Sequence, residues 1–152
     1  MRLPAATVPV SPSPEAAVPR QVSAAETGGR ILVVDDEDPI RRLLKRLLVG
    51  HEVVGAASGR EAKTLLEQDA DFDVVFCDLM MPDMTGMALH AWMVTANPGL
   101  AGRVVFISGG AFTPHAADYL SSVSNLKLGK PILPERLRAI AAEMVLQRRT
   151  NH

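Results

Sequence analysis

The chain has 152 residues, 47% of them hydrophobic and 22% charged, the make-up of a single globular domain and not of a wholly disordered chain. Sixteen Lys and Arg against 17 Asp and Glu leave a net charge of −1, and only 4% of residues are aromatic, so neither a polyanion-attracting field nor base stacking equips it for general nucleic-acid binding. A single cysteine excludes an internal disulfide and, with four scattered histidines, argues against a Cys/His zinc centre.

Residues 1–29 stand apart from the rest. Pro4, Pro9, Pro12, Pro14 and Pro19 alternate with Ala, Val and Ser, and the stretch ends in Gly28-Gly29. Proline at that density removes helix and ladder hydrogen bonds and favours extended chain, so 1–29 reads as a linker or tail and 30–150 as the folded domain. Prolines interrupt any apolar core that a secretory signal would need, and no apolar run approaches the roughly 18 residues that span a bilayer. The expected setting is a reducing cytoplasm, with no membrane contact by this segment.

Ile31-Leu32-Val33-Val34 is a continuous apolar run, as in a strand buried on both faces. Pro39 then suits a first helical turn, and Ile40, Leu43, Leu44, Leu47 and Leu48 fall on one helical stripe that Gly50 stops. Val53–Ala56 reads as a second strand, and Ser58 as the N-cap of a helix through Ala62, Leu65 and Leu66. Val74–Cys77 is a third strand. An irregular loop through Pro82 and Gly86 leads to a helix over 87–96, ended by Asn97-Pro98-Gly99. Val104–Ile107 is a fourth strand, Thr113-Pro114 opens another helix, Leu126–Leu128 is a short fifth strand, and a helix over 134–148 follows. Five βα units predict a doubly wound parallel sheet of order 2-1-3-4-5, flavodoxin-like, with functional groups at the carboxyl ends of the strands.

Those ends carry Asp35-Asp36-Glu37, Asp78, Ser108-Gly109-Gly110 and Lys130-Pro131. With strands one and three adjacent, Asp35, Asp36 and Asp78 converge. Two unit charges about 4 Å apart repel by about 4 kcal/mol at an effective dielectric of 20, so such a cluster needs a cation, and hard oxygen ligands suit Mg²⁺. Lys130 supplies a fixed positive charge and Ser108 a hydroxyl donor. Asp78, alone at its strand end, is the best nucleophile for accepting a phosphoryl group.

In this order, each at an expected strand end, these residues resemble the receiver domain of two-component response regulators over about residues 30–148. Asp35-Asp36 after Val33-Val34, Asp78 followed by Pro82 and Gly86, Ser108 with Gly109, and Lys130-Pro131 carry the resemblance. It implies that Asp78 is phosphorylated by a phosphohistidine on a histidine kinase or histidine phosphotransfer domain. It implies that Asp36, Asp78 and the Met80 carbonyl ligate Mg²⁺ while Asp35 helps through water. Ser108 and Lys130 would contact the phosphoryl oxygens and turn toward them, Gly109 would leave room for the donor, and only slow self-dephosphorylation is expected, with Met80 and Gly110 tuning water access. One position departs from the family: Lys127 stands where a Phe or Tyr commonly precedes the lysine by three residues.

Arg2-Leu3-Pro4-Ala5 also looks like the closing strand of a histidine-kinase ATP-binding domain, and no effector is expected after the receiver. The favoured context is therefore the C-terminal receiver of a hybrid histidine kinase, against a stand-alone single-domain regulator. A Mg²⁺-dependent phosphatase is the enzymatic alternative, but Leu79-Met80-Met81 offers no second acid/base carboxylate. A flavodoxin-like cofactor binder would need a phosphate-cradling loop where Asp35-Asp36-Glu37 stands. A weak homodimer through the last helices stays open. Cys77 reads as inert packing, and Met80, Met81, Met84 and Met87 as loop packing. Arg41, Arg42, Lys45 and Arg46 read as a solvated helix face or a kinase-docking surface. His51, His90 and His115 have no ligand spacing and receive no role.

Overall fold

The apolar runs build five parallel strands: β1 (Arg30–Val34), β2 (Glu52–Ala56), β3 (Val74–Asp78), β4 (Val104–Ser108) and β5 (Lys127–Gly129). The structure, a computed structural model, describes residues 28–109 and 113–150. All but two residues of the expected linker, the Arg2–Ala5 motif and Gly110 lie outside the described residues. The sheet order is β2-β1-β3-β4-β5, as the alternation of elements predicts. Among the described residues no helix is long and apolar enough to cross a membrane.

Successive strand side chains point to opposite faces, so a continuous apolar run fills two cores at once. Ile31, Val33, Val74, Phe76, Val105 and Ile107 face one side, where α1 (Asp38–Leu47) brings Leu44 and α6 (Pro134–Thr150) brings Leu137, Ile140 and Ala141. Leu32, Val34, Val75, Cys77 and Phe106 face the other. They meet Ala62 and Leu66 of α2 (Gly59–Gln68), Leu89 and Met93 of α3 (Gly86–Ala96), Leu100 of α4 (Pro98–Ala101), and Ala116 and Leu120 of α5 (Pro114–Ser122).

Local chemistry sets the helix ends. Pro39 enters α1 in its first turn with Asp38, Lys45 and Arg46 lie in its last turn, and Gly50 follows with φ 101°, a left-handed conformation that glycine adopts without strain. Ser58, Thr85 and Thr113 cap α2, α3 and α5 by accepting from the amides of Glu61, Ala88 and Ala116. Most elements run one or two residues beyond the expected ends, and two differences have an identifiable cause. Asn97-Pro98-Gly99 does not simply end a helix: the Asn97 side chain accepts from the Leu100 amide at 3.2 Å and, with Pro98 in the first turn, starts the short α4. The fifth strand lies one residue later than 126–128. Leu128 is buried there, while Leu126 is exposed, because the ladder pairs Lys127 with Phe106 and Leu128 with Ile107.

Candidate functional site

Strand register assembles the site. Val34 pairs with Cys77, so Asp35 leaves the sheet beside Asp78, the last residue of β3. Asp78 pairs with Ile107 and Ser108 with Gly129, so Ser108 and Lys130 emerge just beyond. The Lys130 amide donates to the Ser108 carbonyl at 2.9 Å, and the Lys130-Pro131 peptide is cis.

Lys130 brings its Nζ to 3.5 Å from Asp35 Oδ2 and 3.7 Å from Asp78 Oδ1, bridging two carboxylates that are 1% and 5% exposed. Asp35 Oδ1 accepts from the Glu37 amide at 2.8 Å, whereas the buried Asp35 Oδ2 has no hydrogen-bond partner among the described residues. Burial raises the Asp35 carboxyl above the usual range, opposed by the Glu37 amide and the Lys130 charge. Asp78 is pushed up to about 6, first by burial and then by Asp35, with Lys130 opposing. The Met80 amide also faces the Asp78 carboxyl and lowers its pKa, while the Met80 side chain is 42% exposed.

Of the three sequence-predicted acids, Asp35 and Asp36 come together, with Glu37 and not Asp78 as the third member of the cluster. Asp35, Asp36 and Glu37 offer carboxylate oxygens within 4.8 Å of one another, and Glu37, which the sequence reading assigned no role, belongs to that trio. Asp78 stands across from them, close enough for Asp35 and Asp36 to raise its pKa. One lysine cannot balance four acids at this spacing. A small divalent cation such as Mg²⁺ suits this set of hard oxygen donors, which includes the buried Asp35 Oδ2 that Lys130 approaches only at 3.5 Å, so the residues present fit the ion.

Gly86 explains the spacing of the loop after Asp78. A Cβ at Gly86 would lie 2.4 Å from the Asp78 carbonyl oxygen and 3.1 Å from Leu79 Cα, so α3 approaches the end of β3 only without a side chain there. Cys77 is buried and its thiol is pushed well up by burial and by Asp78, which agrees with inert packing. Met81 and Met87 are buried in the core and Met84 packs against it. Lys127 is exposed, its ammonium donating to the Asn125 carbonyl at 2.8 Å.

Sequence reasoning gave His90 no role, yet it lies at the centre of a buried contact between helices. Its Nδ1 is 2.6 Å from the Tyr119 hydroxyl and its Nε2 is 3.2 Å from the Ala101 carbonyl, with the Phe106 ring edge-on at 5.2 Å. The carbonyl can only accept, so Nε2 carries the proton and Nδ1 accepts from Tyr119. No spacing signal announces this, because the partners come from three other elements.

A family model described as the response regulator receiver domain matches residues 31–142. The alginate biosynthesis transcriptional regulatory protein AlgB of Pseudomonas putida is 34% identical over 125 residues, 81% of this chain and 27% of that protein. The sensor kinase CckA of Brucella abortus is 31% identical over 118 residues, 76% of this chain and 12% of the kinase. The chain therefore spans only a small part of the length of these relatives. A CheY-like receiver domain protein from Methanospirillum hungatei superposes with a TM-score of 0.72 at 26% identity, covering 82% of this chain and 99% of that one.

Proposed function

The chain belongs to the response regulator receiver domain family, a phosphoacceptor signalling module, and on that footing we propose that Asp78 is the residue that takes the phosphoryl group. The observation that carries this reading is the pairing of Asp78 with Lys130 and Asp35 at the switch in strand order. Receiver domains bind Mg²⁺ at an acidic pocket, and here Asp35, Asp36, Asp78 and the Met80 carbonyl would hold it. Bound there, the ion offsets the charge that the acids and the phosphoryl oxygens bring together.

The chain's own residues do the rest. A carboxylate oxygen of Asp78 attacks phosphorus, the P–N bond of a phosphohistidine breaks, and the departing imidazole keeps the bond's electron pair and takes up a proton from water. Asp78 must be ionised to attack, so its raised pKa, with Lys130 already beside it, makes it a poor nucleophile below about pH 6 unless a cation favours the charged form. Lys130 meets the new negative charge from the position it already occupies beside Asp78 Oδ1. Ser108, at the end of β4, donates its hydroxyl to a phosphoryl oxygen, and that movement is what the switch reads.

The partner is a histidine kinase or a histidine phosphotransfer domain. Two features support a hybrid histidine kinase as the parent, joined to residues 30–150 through the 1–29 linker. One is the Arg2-Leu3-Pro4-Ala5 resemblance, the other the similarity to a sensor kinase. The AlgB similarity supports a response regulator as the parent, but not the single-domain rival, because the matched part is 27% of that protein. The reading is tested by intact mass after incubation with Mg²⁺ and acetyl phosphate, for the parent chain and Asp78→Asn. A gain of one phosphoryl group, labile to hydroxylamine and absent from the variant, is expected. No gain in the folded parent chain, with a phosphorylated histidine kinase also tried as donor, overturns it.

A further inference from the structure

Arg41 takes no part in the reaction described above, yet its guanidinium spans the loop that carries the acids. Nη1 donates to the main-chain oxygen of Asp35 at 2.6 Å, and Nη2 donates to Asp38 Oδ1 at 2.8 Å. These anchors lie at Asp35 and just after Glu37, so they bracket the run whose three carboxylates stand within 4.8 Å of one another. Arg42 pairs with the second oxygen of Asp38, so Asp38 is itself fixed from two sides. The Arg41 side chain is only 18% exposed, and its stem crosses the edge strand β2 at position 55. That residue is glycine, and a Cβ on it would sit 3.5 Å from Arg41 Cδ, so a longer side chain there would displace the arm.

Like charges this close push the loop open when no cation is present. A planar guanidinium with two donors aimed at two fixed acceptors opposes that spreading in a way a flexible ammonium cannot. The loop then holds its oxygens at cation-binding spacing beforehand, and less ordering is left for the binding step. We propose that Arg41 is a positioning residue for the Mg²⁺ pocket, acting through the Asp35 carbonyl and the Asp38 carboxylate. The proposal rests on the receiver reading above.

The charge of Arg41 has the opposite effect, since a cation near a cation site weakens binding. The two effects separate by substitution. Arg41→Lys keeps the charge and loses the fork; Arg41→Met keeps an apolar stem and loses both. Mg²⁺ binding is measured on the full chain by titration calorimetry, together with the acetyl phosphate labelling rate against Mg²⁺ concentration and the melting temperature without Mg²⁺. Arg41→Lys is expected to raise the Mg²⁺ Kd about tenfold, the low end of what losing a contact that holds metal ligands in place from behind costs. Its labelling rate at saturating Mg²⁺ and its melting temperature stay near the parent's. Arg41→Met is expected to bind more weakly than the parent but more tightly than Arg41→Lys. A Kd unchanged in Arg41→Lys, or Arg41→Met binding more tightly than the parent, overturns the proposal in favour of simple electrostatics. A parent chain that takes no phosphoryl group overturns the receiver reading instead, so the two failures are distinguishable.

Discussion

Gly86 touches Asp78 through its own main chain: a methyl group on Gly86 would stand 2.4 Å from the Asp78 carbonyl oxygen, and the Gly86 amide donates to the Leu79 carbonyl at 3.0 Å. The first residue of α3 thereby fixes the backbone at the proposed phosphoacceptor. Gly86→Ala must move either α3 or the end of β3. It is expected to cost about 1–3 kcal/mol of stability, as overpacking a dense interior does, and to slow labelling by acetyl phosphate. Urea unfolding of the parent and variant checks it, and equal midpoints would show that the contact relaxes freely.

The Asp78 carboxyl, raised from 3.8 to about 6, makes the folded chain bind more protons than the unfolded chain between those values. Stability from this group is present below about pH 4 and is lost as pH rises through 6. Without Mg²⁺, Asp78→Asn should therefore be more stable than the parent at pH 7, by about 1–2 kcal/mol, with the gap closing toward pH 4. Thermal melts across that range measure it. A gap that does not narrow on acidification would remove Asp78 as its source.

Burial lowers the pKa of both His51 and His90 below the usual 6.5, which gives the opposite slope. The folded chain binds fewer protons than the unfolded one, so this stability is full above pH 6.5 and falls as pH drops through the folded values. In Asp78→Asn, where the Asp78 slope is gone and only the raised Asp35 carboxyl still opposes, acidification from pH 7 to 5 should destabilise. Denaturant midpoints at the two pH values decide it, and a flat profile would mean the histidines titrate alike in both states.

Lys130→Met leaves Asp35 Oδ2 and Asp78 Oδ1 without the cation now 3.5 and 3.7 Å away. Lys130 opposes the upward shift at both acids, so the Asp78 pKa should rise above about 6 in the variant. Carbon-detected NMR titration of the carboxyl reads this directly. An unmoved Asp78 pKa would show that the ammonium is too well solvated to couple.

Tyr119→Phe removes the donor to His90 Nδ1, now 2.6 Å away, and leaves a buried nitrogen unpaired. The expected cost is about 1 kcal/mol or more, the usual penalty for a stranded buried polar group. Unfolding of Tyr119→Phe beside His90→Leu distinguishes the cases, because removing both polar partners together should cost less than the two single changes added.

Much of the fold was legible in the chain. Runs such as Ile31–Val34 and Val74–Cys77 can only be buried on both faces, and their alternation with helical stripes fixes a parallel, doubly wound sheet of the order observed. The candidate acids, Ser108 and Lys130 were legible because each ends or follows a strand, and in parallel sheets those ends share one edge. Element boundaries were less so. Hydrophobicity marks what is buried, whereas ladder hydrogen bonds set where β5 begins and a side-chain cap starts α4 at Asn97.

What only the tertiary structure decided are contacts between residues distant in sequence or turned by a loop. Sequence gave Lys130 a charge, but the register of β1, β3 and β5 sets it between Asp35 and Asp78. Arg41 read as one of four basic residues on a helix face until its guanidinium was seen to hold the Asp35 carbonyl. His90 had no motif because Tyr119, Phe106 and Ala101 reach it from three other elements. Periodicity reports which side of an element is apolar. The direction and reach of a single polar side chain depend on the packing of its neighbours, and that information exists only once the chain has folded.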